Sequence, residues 1–401
     1  MESRRRRLST HHARLLDSVA MAQLLLLCEY ASLNGGEQSM LSTLEGVRAA
    51  GFAPAVAAPA AGPLADALRD RRVEVLPFET HDRSGRRRPQ DALRRELARL
   101  IRQRRPDLLH ANSLSMGRLS GPVAAELGLP SLAHLRDIIR LSRRAIGDLN
   151  CHTRLLAVSA ATRDYHLNAG LAAAKTHVLP NGVDLQRFRP RAPSGYLHQE
   201  FGLPSAARLI GTIGQLALRK GQDVLAKAAS LLGRQSGGEL GDASDEVHYL
   251  LVGERYSDKD ESRRFEADLR AAAAGAMAGR FHLLGYRRDV AELLGELTLL
   301  VHPARQEPLG RVLLEAAASG VAAIATDVGG TREIFPPESQ SARLVPPGDA
   351  PALARAIAEL TADAPERRRL AAAARRRAES AFDLRTATAG LVTHYQAVAR
   401  R

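Results

Sequence analysis

The chain has 401 residues, a formal net charge of +13, two cysteines and no tryptophan. That length holds two or three domains, each able to bury its own core. No apolar run approaches the roughly 20 residues that span a bilayer, and Cys28 and Cys151 lie too far apart in sequence for a disulfide scaffold or a zinc motif.

Residues 1–20 read as a loosely ordered basic leader, with no long apolar region and no small-residue cleavage site to mark a signal peptide. The expected location is cytoplasmic, with a peripheral position at the inner membrane face open to so basic a chain. The first strand is expected over 22–28. It leads through Gly35-Gly36 into a helix whose Leu41, Leu44 and Val47 share one face. Short strands and helices then alternate: strands at 53–58, 73–76, 108–110, 131–135, 155–159 and 176–179, with helices between, including one over 117–127. This is the pattern of one doubly wound α/β domain. Asn181-Gly182-Val183-Asp184 is a turn signal, and the Pro-rich, polar stretch after it reads as a linker at about 183–200.

The pattern then restarts. A strand at 209–214 ends in Gln215, Arg219, Lys220 and Gly221; one at 248–252 ends at Gly253; one at 281–284 is followed by Arg287. An apolar run at 297–301 stops at His302-Pro303, a loop carries Glu307, and Leu309-Gly310 opens a helix bearing Glu315. Another run, 321–325, gives way to Asp327-Val328-Gly329-Gly330, and a last helix over about 384–401 places Leu391, Tyr395 and Val398 at helical spacing. The domain division read from this is 1–20 leader, 21–185, 186–381, and a C-terminal helix over 382–401.

Ligands of open α/β sheets bind at the carboxyl ends of the strands. That rule collects Gly35, Gly36, Asn112 and His134 in the first domain. In the second it collects Gln215, Arg219, Lys220, Gly253, Arg287, Glu307, Leu309, Gly310 and Glu315. Glycines and a helix start supply N–H groups for phosphate. Two carboxylates beside a phosphate site suit neutral hydroxyls of the same ligand, so a sugar nucleotide satisfies both. The plainer alternatives stay open at this point: a solvent-facing Glu307, a Glu315 that pairs with Arg311, a glycine pair that is only a turn, and a His134 that is only core.

These segments together resemble family 4 glycosyltransferases of the "glycosyl transferases group 1" type. The resemblance is carried by the Gly35-Gly36 loop, Val158-Ser159 with Thr162, the Asn181–Asp184 turn with Phe188, Lys220-Gly221, Glu307 to Glu315, the Asp327–Gly330 turn with Glu333-Ile334, and Phe382 with Tyr395. It implies a GT-B fold: two Rossmann-like doubly wound domains facing across a cleft, with the last helix crossing back to the first domain. It implies a retaining, metal-independent hexosyl transfer from a nucleotide-diphosphate sugar to a hydroxyl acceptor, no cofactor beyond the donor substrate, and a place in cell-envelope or polysaccharide synthesis. Glu315 would take the ribose hydroxyls, Glu307 the donor sugar, Leu309-Gly310 the sugar and phosphates, and Lys220 the diphosphate. Gly35-Gly36 would close on the reacting centre, and His134 would sit beside the transferred ring. Where the family often carries Arg, this chain has Gln215, with Arg219 as a possible compensating cation. A GT-B sugar-nucleotide 2-epimerase and a non-catalytic nucleotide-sugar-binding protein are the alternatives.

Other signals weigh less. Asp258-Lys259-Asp260 reads as a solvated helix cap and no metal site is expected; His11-His12 reads as solvated. The arginine clusters at 4–7, 86–88, 367–369 and 375–377 lack interleaved aromatics, which argues against nucleic acid and leaves a weak membrane-surface contact as the expected partner of the charge.

Overall fold

In the computed structural model, residues 21–235, 247–275 and 277–399 are described. The leader, with its Arg4–Arg7 cluster and His11-His12, and most of the acid-rich loop near 240 lie outside them. Thirteen strands in the described residues form two parallel sheets. The first has the order β3-β2-β1-β4-β5-β6-β7, built from β1 (Ala22–Leu27), β2 (Phe52–Ala58), β3 (Glu74–Pro77), β4 (Leu108–Ala111), β5 (Ser131–Leu135), β6 (Arg154–Ala157) and β7 (Thr176–Val178). The second has the order β10-β9-β8-β11-β12-β13, from β8 (Arg208–Ile213), β9 (Val247–Val252), β10 (Phe281–Gly285), β11 (Leu299–His302), β12 (Ala323–Thr326) and β13 (Arg343–Val345).

Parallel strands joined by helical crossovers are covered on both faces, so most of their positions are apolar. β1 shows how the period of two divides that run. Leu25 and Leu27 enter one core with Leu109, Leu135 and Leu155, while Leu24 and Leu26 enter the opposite core with Leu108, Leu132 and Leu156. In the second sheet Leu209, Leu250 and Leu300 face one core, and Ile210, Tyr249, Leu299 and Val301 the other. The in-phase β1–β2 register, Ala22 against Phe52 through Leu27 against Ala57, brings these strand ends out level.

The C-terminal helix, Leu384–Ala399, packs on the first sheet's side: Leu391, Tyr395 and Val398 share a core with Leu24, Met40 and Phe52. Its entry is fixed at the Asn181–Asp184 turn. Val183 N donates to Phe382 O at 2.8 Å and Leu384 N to Val183 O at 3.1 Å. A Cβ on Gly182 would stand 2.5 Å from Leu384 Cα, so only glycine lets the crossing chain lie this close.

Two sequence expectations need correction. The helix expected from 117 starts at Leu114, because Ser113 Oγ accepts from Met116 N at 3.2 Å and so caps the turn earlier. The stretch read as linker contains a short helix, Tyr196–Phe201, whose Leu197 is buried in the second domain's core. Its apolar residues, Tyr196, Leu197 and Phe201, span fewer than two turns, too short a run for a helical period to show.

Candidate active site

The centre of the site is Glu307, in the loop after β11. Its Oε2 accepts from Lys220 Nζ at 2.5 Å and from His302 Nε2 at 2.7 Å. Burial pushes this carboxyl up, yet Lys220 and the His302 hydrogen bond outweigh it and hold the group well below the usual carboxylate range. Glu307 is therefore a fixed anion. His302, the last residue of β11, is pulled down by burial, although Glu307 opposes that shift.

Backbone approach builds this cluster. Lys220 ends the turn Leu218–Lys220, and Gly221, at φ +69, carries the chain so close to the Glu307 loop that a Cβ would meet Pro303 O at 1.9 Å. Arg305 N donates to Arg219 O at 2.8 Å, and the Arg305 guanidinium clasps both Asp223 oxygens at 2.7 Å. On the other side Gly329 and Gly330 press on the same loop: their Cβ positions would lie 2.0 Å from Glu307 O and 2.3 Å from Pro308 O. The glycine pair after β12 thus acts as a seat for the Glu307 loop.

Glu315, on the helix Arg311–Ala318, pairs with Arg311 at 2.6 Å, so the plainer reading of that residue is realised in this structure. Gly310 precedes the helix at φ +92, and Leu309 beside it is buried in the core. Gln215 and Arg219 lie together, Arg219 Nη2 donating to Gln215 Oε1 at 3.4 Å.

The first domain contributes the glycine loop. Asn112 Nδ2 donates to Gly36 O at 3.1 Å. Arg136, just past β5, donates to Asn112 O at 2.9 Å, to Asn112 Oδ1 at 3.1 Å and to Asn181 Oδ1 at 2.8 Å. Contacts also join the two sheets' units. Thr162 Oγ1 donates to Pro308 O at 3.3 Å, and the Glu333 carboxylate accepts from Ala160 N at 2.7 Å and Ala161 N at 2.9 Å. A carboxylate on the free N–H groups of a helix start is a favourable cap.

Three expected site residues are placed otherwise. His134 is buried in a chain in which its Nδ1 meets His110 Nε2 at 2.7 Å and His110 Nδ1 meets Tyr395 OH at 2.6 Å. It joins the first sheet to the C-terminal helix, and the β5-end residue that holds the glycine loop is Arg136. Gly253 has φ +135 and spends its N–H on Gly285 O at 2.7 Å; a Cβ there would stand 2.0 Å from Gly214 O, so it serves close packing of strand ends. Arg287 is held by Asp289 and Glu200 at 2.6–3.1 Å. Asp258 and Asp260 pair with Arg255 and Arg263 at the surface, but neither caps the helix Asp260–Ala274: its N-cap residue is Lys259, and among the described residues no side chain accepts from its first turn. Sequence reasoning missed His302, Arg136 and Arg311. Only their position next to a strand end or a helix start could have marked them.

The buried histidines make a testable statement. Burial, then the Arg136 charge, lowers His110 to about 3 and holds His134 well below 6.5. Both are neutral when folded and protonate near 6.5 when unfolded, so the unfolded chain binds more protons as pH falls from about 6.5 towards 3 and stability is lost over that window. The urea midpoint is expected to drop between pH 7 and pH 5, with the NMR signals of both rings unshifted. Titration of either ring in the folded protein above pH 5 would contradict the assignment.

The chain is similar to known proteins over most of its length. The model of Glycosyl transferases group 1 matches residues 196–377 and that of Glycosyltransferase Family 4 matches residues 33–187. The chain is 29% identical over 367 residues to the GDP-mannose-dependent alpha-mannosyltransferase of Mycobacterium tuberculosis (strain CDC 1551 / Oshkosh), covering 86% of this chain and 88% of that one. It is 30% identical over 279 residues to the D-inositol 3-phosphate glycosyltransferase of Xylanimonas cellulosilytica, covering 66% and 63%. Among solved structures, Anabaena HepE in complex with UDP and glucose superimposes with a TM-score of 0.80 at 22% identity, covering 93% of this chain and 99% of that one, a likeness of fold. No helix among the described residues is long and apolar enough to cross a membrane. Two parallel-sheet domains and two family models that together run from residue 33 to 377 lead to one conclusion: the chain belongs to the family 4 glycosyltransferases of the group 1 type, GT-B-fold enzymes that transfer hexosyl units from nucleotide sugars.

Proposed function

We propose that this enzyme transfers a hexosyl unit from a nucleotide-diphosphate sugar to a hydroxyl acceptor with retention of anomeric configuration and without a metal ion. The observation that carries the reading is Glu307, held as an anion by Lys220 and His302. A carboxylate so strongly stabilised is a poor proton donor and a weak nucleophile, and a good acceptor of hydrogen bonds from sugar hydroxyls. Lys220, with Arg219 beside it, supplies the positive charge for the departing diphosphate, and the N–H groups at the start of the helix Arg311–Ala318 add to it. The bond from the anomeric carbon to phosphate oxygen breaks, the bond to the acceptor oxygen forms on the same face, and the acceptor's proton passes to the leaving phosphate. Glu315 takes the ribose hydroxyls, and Gly35-Gly36 with Asn112 borders the acceptor side.

A weak membrane-surface contact belongs to the same proposal, in a cytoplasmic, peripheral enzyme. Of the nine described cluster arginines, four, Arg87, Arg88, Arg369 and Arg375, pair with acids. The contact would instead run through Arg95, Arg99 and Arg102, exposed along one face of the helix Gln90–Arg104.

The test is a panel of UDP-, GDP- and ADP-sugars assayed for nucleotide release. Acceptors are omitted, supplied free, or displayed on anionic vesicles, with and without EDTA. Acceptor-dependent release unaffected by EDTA, giving a product of the donor's anomeric configuration, is expected. Sugar interconversion without acceptor would replace the reading by the epimerase, and an inverted product would remove the proposed mechanism. Equal rates on free and vesicle-bound acceptor would remove the membrane contact.

A further inference from the structure

The geometry points to Arg311 as a positioning residue that couples occupancy of the nucleotide pocket to the Gly35-Gly36 loop across the cleft. The inference rests on the reading of Glu315 as the ribose ligand. Arg311 is the first residue of the helix that carries Glu315. Its guanidinium has one partner in each domain. Nη2 donates to Glu315 Oε1 at 2.6 Å, and Nη1 donates to Gly35 O at 3.2 Å. The arginine stem reaches the loop as well, with Cδ 3.7 Å from the point where a Gly35 Cβ would lie.

The loop is gripped from its own domain too. Asn112 holds Gly36 O, and Arg136 lies beneath Gly36, its Cδ 3.2 Å from that glycine's Cβ position. The two glycines thus sit between two guanidinium groups, Arg136 fixed in the first domain and Arg311 from the second. The two cations sense each other. Burial brings Arg136 down to about 10, Glu37 opposes this, and the Arg311 charge adds to the decrease.

A ribose diol takes both oxygens of a carboxylate. Nucleotide binding therefore sets the ribose hydroxyls in competition with Arg311 for the Glu315 oxygens and loosens the hydrogen bond that now holds Nη2, while the guanidinium keeps five N–H donors. The remaining positive charge, set against Arg136, favours an anion at the glycine loop, and the donor's diphosphate supplies one. A nucleoside alone competes for Glu315 without supplying that anion. So a nucleoside diphosphate resets the loop and the corresponding nucleoside does not. Lysine at this position keeps the charge but cannot bridge two acceptors in one plane.

The experiment is hydrogen–deuterium exchange of the backbone segment 33–41, alone and with saturating UDP or GDP (whichever binds by calorimetry) and with the matching nucleoside. In the wild type the diphosphate is expected to slow exchange in this segment several-fold and the nucleoside to leave it unchanged. In Arg311→Met the diphosphate still binds, weakened by no more than about tenfold, the worth of one charged contact, but the exchange response of 33–41 is lost and kcat falls by a larger factor than KM rises. Arg311→Lys is expected to restore affinity and not the response. An unchanged response in Arg311→Met, or in Arg311→Gln should the methionine variant not fold, overturns the proposal. Failure of the underlying reading shows separately in Glu315→Gln, which is expected to lose about ten- to a hundredfold in nucleotide affinity. If that variant binds as the wild type does, the ribose assignment falls and the coupling with it.

Discussion

Replacing Lys220 by Met is expected to lower turnover at least about a hundredfold, the scale of losing one group that stabilises transition-state charge. The loss has two sources. The diphosphate leaves without its nearest cation, and Glu307 loses the charge that keeps it ionised. Burial is the largest influence on that carboxyl and pushes it up, with Lys220 the strongest opposing one. Without Lys220 the balance tips towards the neutral acid. The variant should therefore show an acid limb in its pH–rate profile at a higher pH than the wild type, in which Glu307 stays charged across the neutral and mildly acid range.

Stability follows the same sign. A carboxyl held below its unfolded value near 4.3 contributes stability above that pH and loses it only as pH falls through the depressed folded value. The single variant also leaves a buried carboxylate without its partner, at about 3–5 kcal/mol. Lys220→Met/Glu307→Gln should then be less destabilised than Lys220→Met alone, because the unpaired charge is gone, while its turnover stays low. Urea unfolding and kcat at saturating donor over pH 5–8 measure both effects. Near-normal turnover in Lys220→Met and Glu307→Gln alike would remove the assigned site.

Gly329→Ala is the second substitution with a large expected effect. At φ +51 an alanine carries a left-handed penalty of about 1 kcal/mol. Its Cβ would further meet Glu307 O, a backbone atom, at 2.0 Å. The loop must move away, which strains the Gly330 N to Glu307 O hydrogen bond of 3.0 Å and the Thr162 contact with Pro308. A total cost of about 2–4 kcal/mol is expected. A shift of about 1 Å at Glu307 is worth about a hundredfold in rate. Gly348→Ala is the control, since that glycine has φ +77 with nothing within 4 Å of its Cβ position, and it should cost only the backbone term. Equal destabilisation of the two variants would mean that the seat under Glu307 yields.

Much of this enzyme is written locally. Apolar runs such as 24–27 and 299–301 are strands covered on both faces, because every position in them is buried, and such runs announce two doubly wound sheets. Lys220-Gly221 and Glu307 were legible for a similar reason: each stands just past a strand end, where ligands of such sheets bind. The helix Tyr196–Phe201 was not legible, since six residues make fewer than two turns and set no period.

What only the tertiary structure decided is which of many similar side chains meet. Charge alone did not distinguish Arg311, which reaches Gly35 O across 276 residues of chain, from Arg287, which is spent on Glu200 and Asp289. Glycine identity did not separate Gly253, whose amide is consumed by Gly285, from Gly329 and Gly330, which seat Glu307. A strand-end histidine could have faced the cleft or the core, and the chain His134–His110–Tyr395 exists because the last helix returns to the first sheet. A hydrogen bond or close contact acts over about 3–4 Å, whereas the distances that bring these residues together are set by how two sheets, each buried on its own cores, settle against each other. The sequence by itself determined most of the elements and where the strands end; the packing of the two sheets decided the partners.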